Sequence, residues 1–129
     1  MNKKFDPIDI APPFNNIYSH GVEVPPNSRT LWIAGQTGDL PDGTTPDSFE
    51  DQAEQAMKSF VSVLAGAGMT VSDVVKINVY LTSHADLEKF RPIRSRHLDG
   101  HRPAMTLAVV STLAEPKWKI EVEGVAAKQ

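Results

Sequence analysis

The strongest constraint on the fold is an apolar repeat at intervals of three and four residues between Asp47 and Gly68. Its apolar members are Phe49, Ala53, Ala56, Met57, Phe60, Val63, Leu64 and Ala67. Charged and polar side chains dominate the opposite face, which is the pattern of an amphipathic helix with one buried face. Asp47 or Ser48 suits the start of such a helix, and Gly66 and Gly68 suit its end. A helix of this kind must cover a second apolar surface, which the rest of the chain has to supply.

Alternating apolar and polar residues on both sides of this helix predict the strands that supply that surface. The predicted strands cover 18–24, 30–34, 75–81, 104–110 and 118–125. Because residues 25–28 are rich in turn-forming residues, the first two strands are expected to form a hairpin. Gly35 and Gly38 follow the second strand and predict a bulge or a close backbone approach.

A second helical region is predicted between Ser83 and Leu98. Pro92 lacks the backbone donor of a helix interior, so we expect a short turn at 86–90 and the main helix from Pro92 onward. The resulting order, β-β-α-β-α-β-β, is typical of an α+β domain in which two helices cover one face of a mixed sheet.

The size and charge of the chain exclude several classes of protein. Its 129 residues fit one domain spanning 1–129, with the proline-rich residues 1–13 as an extended N-terminal lead-in. A net charge of −3 argues against general binding to a nucleic-acid backbone. The chain has no cysteine, which excludes disulfides, thiolate-bound zinc and a cysteine nucleophile. The N-terminus has no secretory signal and no stretch is long enough to span a bilayer, so a cytoplasmic protein without a membrane contact is expected.

Common catalytic and metal-binding motifs are absent, and His97 and His101 are not spaced as a metal-binding pair on one helix, so no metal is expected. What remains is a set of polar residues at predicted strand and helix ends: Tyr18, Gln36, Arg91, Thr106, Glu121 and Glu123. Each of these side chains could simply be solvated. The basic segment between Lys89 and Arg102 is a solvated helix face, an anion site or a charged subunit contact.

Motifs along most of the chain match one known family. They are IYSHGV at 17–22, IAGQ at 33–36, LAGAGM at 64–69, SDVVKINVYL at 72–81, RPA at 102–104 and KIEVE at 119–123. These segments resemble the Rid family, the reactive intermediate deaminases of YjgF type. The resemblance implies a chorismate-mutase-like subunit that assembles as a homotrimer, with its sheets packed into a central barrel and a cleft between neighbouring subunits.

The resemblance also implies a reaction and a set of site residues. Active members of the family hydrolyse small enamines and imines, such as 2-aminoacrylate, to a 2-oxo acid and ammonia, without a cofactor. In the matching positions Tyr18, Thr106 and Glu121 would be catalytic, with Glu121 positioning the attacking water. Gly35 and Gln36 would lie beside the substrate.

The chain departs from the family pattern at Met105, where the active deaminases carry an arginine that binds the substrate carboxylate. Methionine offers neither a positive charge nor a hydrogen-bond donor. Arg91, within the basic segment, is the candidate to replace that arginine in substrate binding.

Three functions stay open. The first is a hydrolase acting on a small reactive imine or enamine metabolite. The second is a homotrimer that binds a small metabolite without turnover, because Met105 replaces the arginine. The third is ribonuclease activity, which the acidic balance and the lack of a suitably placed histidine pair disfavour.

Overall fold

A four-stranded mixed sheet, covered on one face by two helices, carries the core of the molecule. The structure is a computed structural model that describes residues 1–129. Its elements are β1 (Lys3–Phe5), β2 (Gly21–Glu23), β3 (Arg29–Thr37), α1 (Phe49–Gly66), β4 (Val74–Leu81), α2 (Leu87–Leu98), β5 (Ala104–Val109) and β6 (Ile120–Lys128). The predicted α+β architecture is confirmed.

The strand order in the main sheet is β3-β6-β4-β5. β6 runs antiparallel to both of its neighbours, whereas β4 and β5 are parallel. A parallel pair needs a crossover connection, and α2 provides it. β5 therefore lies at one edge of the sheet, next in sequence to the helix that leads into it.

α1 covers the inner face of the sheet, as its apolar repeat predicts. The Ser48 hydroxyl caps the helix by accepting a hydrogen bond from the Asp51 backbone N–H at 3.1 Å. Phe60 of α1 is fully buried against Gly124 of β6, where an added Cβ would stand 3.0 Å from the ring. Neither helix has the combination of length and apolarity that crossing a membrane requires.

The bulge predicted near Gly35 is present. The register between β3 and β6 shifts between Ile33 and Gln36. β3 then continues to Thr37, past the end of the predicted strand. This irregularity brings the backbone of Gly35 close to β6.

The predicted hairpin between the first two strands is wrong. β2 pairs with β1, which lies in the expected lead-in, whereas β3 pairs with β6. Pro25 and Pro26 have no N–H to donate across a hairpin, and Asn27 turns the chain in the left-handed conformation at a φ of 64°. β6 offers β3 a longer ladder, which runs from Arg29 to Thr37.

α2 is continuous, so the predicted break at Pro92 is also wrong. A short 3₁₀ helix, His84–Asp86, leads directly into it. Pro92 removes one backbone hydrogen bond, but Phe90 and Ile93 on either side are buried in the core and hold both turns in place.

The outer face of the sheet carries no helix. It is lined by polar side chains from three strands: Lys76, Asn78, Tyr80, Thr106, Glu121 and Glu123. Trp32 stands on the same face on β3, and it is 78% exposed. A large apolar side chain on an uncovered sheet face is suited to contact with another molecule.

Candidate functional site

A cavity of about 360 Å³ opens at the edge of the sheet beside β5, and we call it the β5-edge cavity. Its lining residues come from the 14–18 segment, α2 and β5: Phe14, Ile17, Tyr18, Leu87, Arg91, Arg94, Met105, Thr106 and Leu107. The structure therefore brings together four of the predicted site residues, namely Tyr18, Arg91, Met105 and Thr106. Most of the remaining wall is apolar.

Tyr18 is positioned by its neighbour Ser19, which joins the edge of the sheet. Ser19 forms a parallel bridge with Ala104, and its backbone N–H donates to the Pro103 carbonyl at 3.0 Å. The Ser19 hydroxyl also donates to the Arg102 carbonyl at 2.7 Å. These bonds extend the sheet by one short segment and fix Tyr18 beside the start of β5.

The 14–18 segment also forms the rim of the cavity through Phe14. A single 3₁₀ turn, Phe14–Asn16, places Asn15 and Asn16 in the left-handed region, at φ values of 54° and 55°. The Arg102 guanidinium donates to the Asn16 side-chain oxygen and so holds this turn to the body of the protein. Phe14 stays 61% exposed at the cavity mouth.

Arg91 lies in the cavity wall with its charge already paired. Its Nη1 is 2.9 Å from Glu88 Oε1 and 3.2 Å from Glu88 Oε2. Its guanidinium carbon is 5.4 Å from the centre of the Phe14 ring, within the range of a cation–π contact. Arg91 therefore spans the rim between α2 and the 14–18 segment.

Arg94 is a lining residue that sequence reasoning did not single out. It is only 4% exposed, and its one hydrogen bond to another side chain is a long contact of 3.4 Å to Ser95 Oγ. Burial, and then the charge of Arg91, lower the pKa of the Arg94 guanidinium. The sequence signal that could have identified Arg94 was its spacing from Arg91, because residues three apart on a helix share a face. Both arginines also lie beside the apolar Phe90 and Ile93 in the sequence.

Met105 and Thr106 present different surfaces at the β5 edge. Met105 packs against the hydrophobic core, so its side chain adds to the apolar wall. The Thr106 hydroxyl accepts a hydrogen bond from Lys76 Nζ at 2.9 Å and faces the outer side of the sheet. A ligand in the cavity would meet one apolar and one polar group from adjacent positions of a single strand.

Glu121 and Gly35 form a second location, away from the β5-edge cavity. A Cβ added at Gly35 would lie on the Glu121 carboxyl group, 2.7 Å from Cδ. Only a glycine leaves room for this carboxylate against the β3 bulge. Gln36, next to Gly35 in the chain, does not line the β5-edge cavity, and its side-chain amide donates to the Ala34 carbonyl at 3.0 Å.

Glu121 and Glu123 share the outer face, as the alternation of β6 predicts. The Tyr80 hydroxyl donates to Glu123 Oε2 at 3.3 Å. Burial raises the pKa of Tyr80, and the charges of Glu123 and Glu121 raise it further. A cavity of about 370 Å³ on this face runs from Trp32 past Glu123. The two carboxylates therefore line a surface that is open in the single chain.

Neither location resembles a metal centre. No three histidine, cysteine, aspartate or glutamate side chains in the chain cluster in a way that could hold a metal ion. A further cavity of about 410 Å³ lies between β1 and the C-terminus, and it contains none of the predicted site residues.

Comparison with known proteins gives consistent results. A family model described as Endoribonuclease L-PSP matches residues 9–128. The chain is similar to the solved structure of YyfB from Yersinia pestis, a protein of unknown function of the conserved Rid protein family, with a TM-score of 0.86 and 30% identity over 98% of each chain. It is 30% identical to the 2-iminobutanoate/2-iminopropanoate deaminase of Mus musculus, over 92% of this chain and 86% of the relative. The structure of Escherichia coli TdcF with bound serine has a TM-score of 0.73 and 25% identity, over 96% of this chain and 94% of TdcF.

Proposed function

Because the chain belongs to the endoribonuclease L-PSP family, which includes the Rid proteins, we propose that it hydrolyses small reactive imines or enamines to a carbonyl compound and ammonia. The observation that carries the proposal is the β5-edge cavity, which joins cationic, hydroxyl and apolar side chains in one small space. A relative of 30% identity is named as a deaminase of 2-imino acids. TdcF binds serine, another small molecule with a carboxylate.

The reaction balances with water alone. Water adds to the carbon of the C=N bond, a proton moves to the nitrogen, and ammonia leaves as the carbonyl forms. An enamine first takes a proton on carbon to become the imine. Glu121 would position the attacking water and accept its proton, Tyr18 and Thr106 would orient the substrate, and no cofactor is needed.

We also propose that the complete site forms only in a homotrimer. Within one chain Glu121 does not line the β5-edge cavity, so a neighbouring subunit has to bring the two locations together. The uncovered outer face with Trp32 offers the contact surface. Trp32→Glu should therefore convert a trimer to monomers in light scattering. Ile8→Glu, at a fully exposed position outside the sheet, should not. A monomeric wild-type protein would refute the assembly.

The test of the reaction is release of the 2-oxo acid from 2-iminobutanoate that an amino-acid oxidase generates in the same solution. The wild-type protein should accelerate release over spontaneous hydrolysis. Glu121→Gln should lower kcat/KM by about 100-fold or more, in the range of a lost general base. Glu123→Gln, on the same face of the same strand, is the matched control and should change it by less than about threefold. Equal losses in the two variants would contradict the role of Glu121.

Binding without turnover is the second candidate function, and Met105 favours it. The position that carries the carboxylate-binding arginine in the active deaminases is apolar here. A protein that shows no acceleration with several imino acids, but is stabilised by short-chain acids in a concentration-dependent manner, would have this function.

RNA cleavage, which the name of the family model mentions, has less support. No histidine lines the β5-edge cavity or the cavity on the outer face. The net charge of −3 is also unfavourable for contact with a phosphate backbone.

A further inference from the structure

Arg94 differs from the other arginines of α2 in having no acidic partner. Arg91 pairs with Glu88 and Arg96 pairs with Glu54, both through carboxylate contacts. No carboxylate lies within 4.0 Å of Arg94, although it is the most buried of the three. The only acceptor it reaches is a neutral hydroxyl at 3.4 Å.

The charge of Arg94 is nearly enclosed, because the residue is only 4% exposed. No fully buried side-chain nitrogen or oxygen lacks a hydrogen-bond partner, so the guanidinium nitrogens that do not contact Ser95 still reach solvent. A guanidinium stays protonated in proteins, and charges in enclosed sites are normally paired or hydrogen-bonded. A cation with little solvent contact and no acid of its own is therefore suited to an anion that arrives from outside the chain.

The surroundings of Arg94 define the chemistry of that anion. The β5-edge cavity has a volume of about 360 Å³, which admits only a small molecule. Most of its other lining residues are apolar, with Ile17, Leu87 and Met105 among them. A ligand that matches this environment has one carboxylate and a short apolar remainder.

Arg94 suits this role better than Arg91, the candidate from the sequence. Glu88 partly offsets the charge of Arg91, with both of its oxygens on the same nitrogen. An incoming carboxylate at Arg91 would have to share the guanidinium with Glu88, whereas no carboxylate competes at Arg94 for the bidentate hydrogen bonds that arginine makes with carboxylates.

We propose that Arg94 binds the carboxylate of small apolar 2-oxo and 2-imino monocarboxylates in the β5-edge cavity, and so supplies from α2 the cation that is missing at Met105. The inference rests on the proposed function for the identity of the substrate. Carboxylate binding itself does not require turnover, so the two can fail separately.

The experiment compares 2-oxobutanoate with its uncharged amide, 2-oxobutanamide, by isothermal titration calorimetry on the full chain. The wild-type protein should bind the acid at least about tenfold more tightly than the amide. Arg94→Gln should weaken binding of the acid by about 30-fold and leave binding of the amide unchanged. Arg94→Lys keeps the charge but loses the planar fork, so its affinity for the acid should be intermediate. Arg96→Gln removes the same charge from the same helix outside the cavity, and it should behave as wild type.

The thermal stability of Arg94→Gln without ligand separates binding from a structural role. Since the substitution removes a largely enclosed charge that has no acidic partner within the chain, the melting temperature should stay the same or rise. The inference is overturned if Arg94→Gln binds the acid as wild type does, if it loses the acid and the amide together, or if the wild-type protein does not prefer the acid. Carboxylate preference without imine hydrolysis would refute only the proposed function. Hydrolysis that persists unchanged in Arg94→Gln would refute only the inference.

Discussion

Replacing Gly35 with alanine tests whether the Glu121 carboxylate must lie where the structure places it. A Cβ at this position would overlap the Glu121 carboxyl group, 2.7 Å from Cδ, and would be crowded by Cγ at 3.0 Å. The obstacle is a side chain that can rotate, so the backbone of β3 need not move. We expect Glu121 to turn away at a cost of about 1 kcal/mol in the free energy of unfolding.

The same glycine-to-alanine change at Gly66 and at Gly124 gives two reference values for this loss of stability. At Gly66 nothing lies within 4 Å of an added Cβ, and alanine favours the helix, so stability should rise by about 0.5 kcal/mol. At Gly124 the Cβ would stand 2.5 Å from the Lys76 backbone oxygen and 3.0 Å from the Phe60 ring. Neither a backbone in a central strand nor a fully buried ring can retreat easily, so Gly124→Ala should lose about 3 kcal/mol.

The three glycine-to-alanine variants are compared by their free energy of unfolding in denaturant and by their rate of imine hydrolysis. Unfolding has to be compared at one protein concentration, because assembly would make stability depend on concentration. Gly35→Ala should lose hydrolysis by about 10- to 100-fold at a temperature where it is fully folded, since a misplaced catalytic group costs about that much. Gly66→Ala, with the same chemical change, should keep full activity.

The outcomes that would refute this reasoning are specific. Full hydrolytic activity in Gly35→Ala would show that the position of the Glu121 carboxylate does not matter for the reaction. A Gly124→Ala protein as stable as Gly66→Ala would show that the close contacts between α1 and β6 do not limit packing.

Three further predictions follow from single contacts. Met105→Arg adds a guanidinium to the cavity that holds Arg94, so repulsion between the two charges should lower the melting temperature. Adding Arg94→Gln to this variant should restore the melting temperature. Strictly additive effects of the two substitutions in this double-mutant cycle would contradict the repulsion. Gln52 is buried and bonds two backbone carbonyls and one backbone N–H, so Gln52→Leu should lower the free energy of unfolding by about 2–4 kcal/mol in a urea titration. Burial lowers the pKa of His101, and the nearby Lys4 lowers it further, so the unfolded chain binds this proton more readily than the folded one. The stability that the neutral His101 ring contributes is therefore fully present above the unfolded pKa of about 6.5, and it is lost as the pH falls below that value. In thermal unfolding, the melting temperature of His101→Gln should fall less steeply with decreasing pH than that of the wild type. An equally steep fall in the variant would contradict this assignment.

The elements that could be predicted from the sequence are those whose apolar pattern is long enough to be periodic. α1 has five turns of one-sided repeat, and its observed bounds, Phe49–Gly66, lie within two residues of the expected ones. β1 is different, because three residues between turns carry no alternation. It is a strand only because β2 offers it a partner, and such pairing depends on tertiary structure.

The same distinction applies to the candidate site. Tyr18 and Thr106 could be named from local motifs, and the chain brings them to one cavity. The separation of Glu121 from that cavity could not be predicted from the sequence, because it depends on where β6 lies in the strand order. The break expected at Pro92 was wrong for a related reason, since burial of the neighbouring side chains outweighs one lost hydrogen bond.

The absence of an arginine at position 105 and the presence of Arg94 in the same cavity are better understood together than as two unrelated features. Met105 and Arg94 both line the cavity that also holds Arg91, so an arginine at position 105 would add a third guanidinium group to one small space, where repulsion between like charges is strong. A cation on either β5 or α2 can reach an anion between them, and the chain carries it on α2. Met105 packs against the core and keeps the wall apolar, which excludes water and strengthens the attraction between Arg94 and a bound carboxylate. A scan of the sequence for an arginine at position 105 alone would therefore miss the positive charge that Arg94 brings to the same cavity from α2.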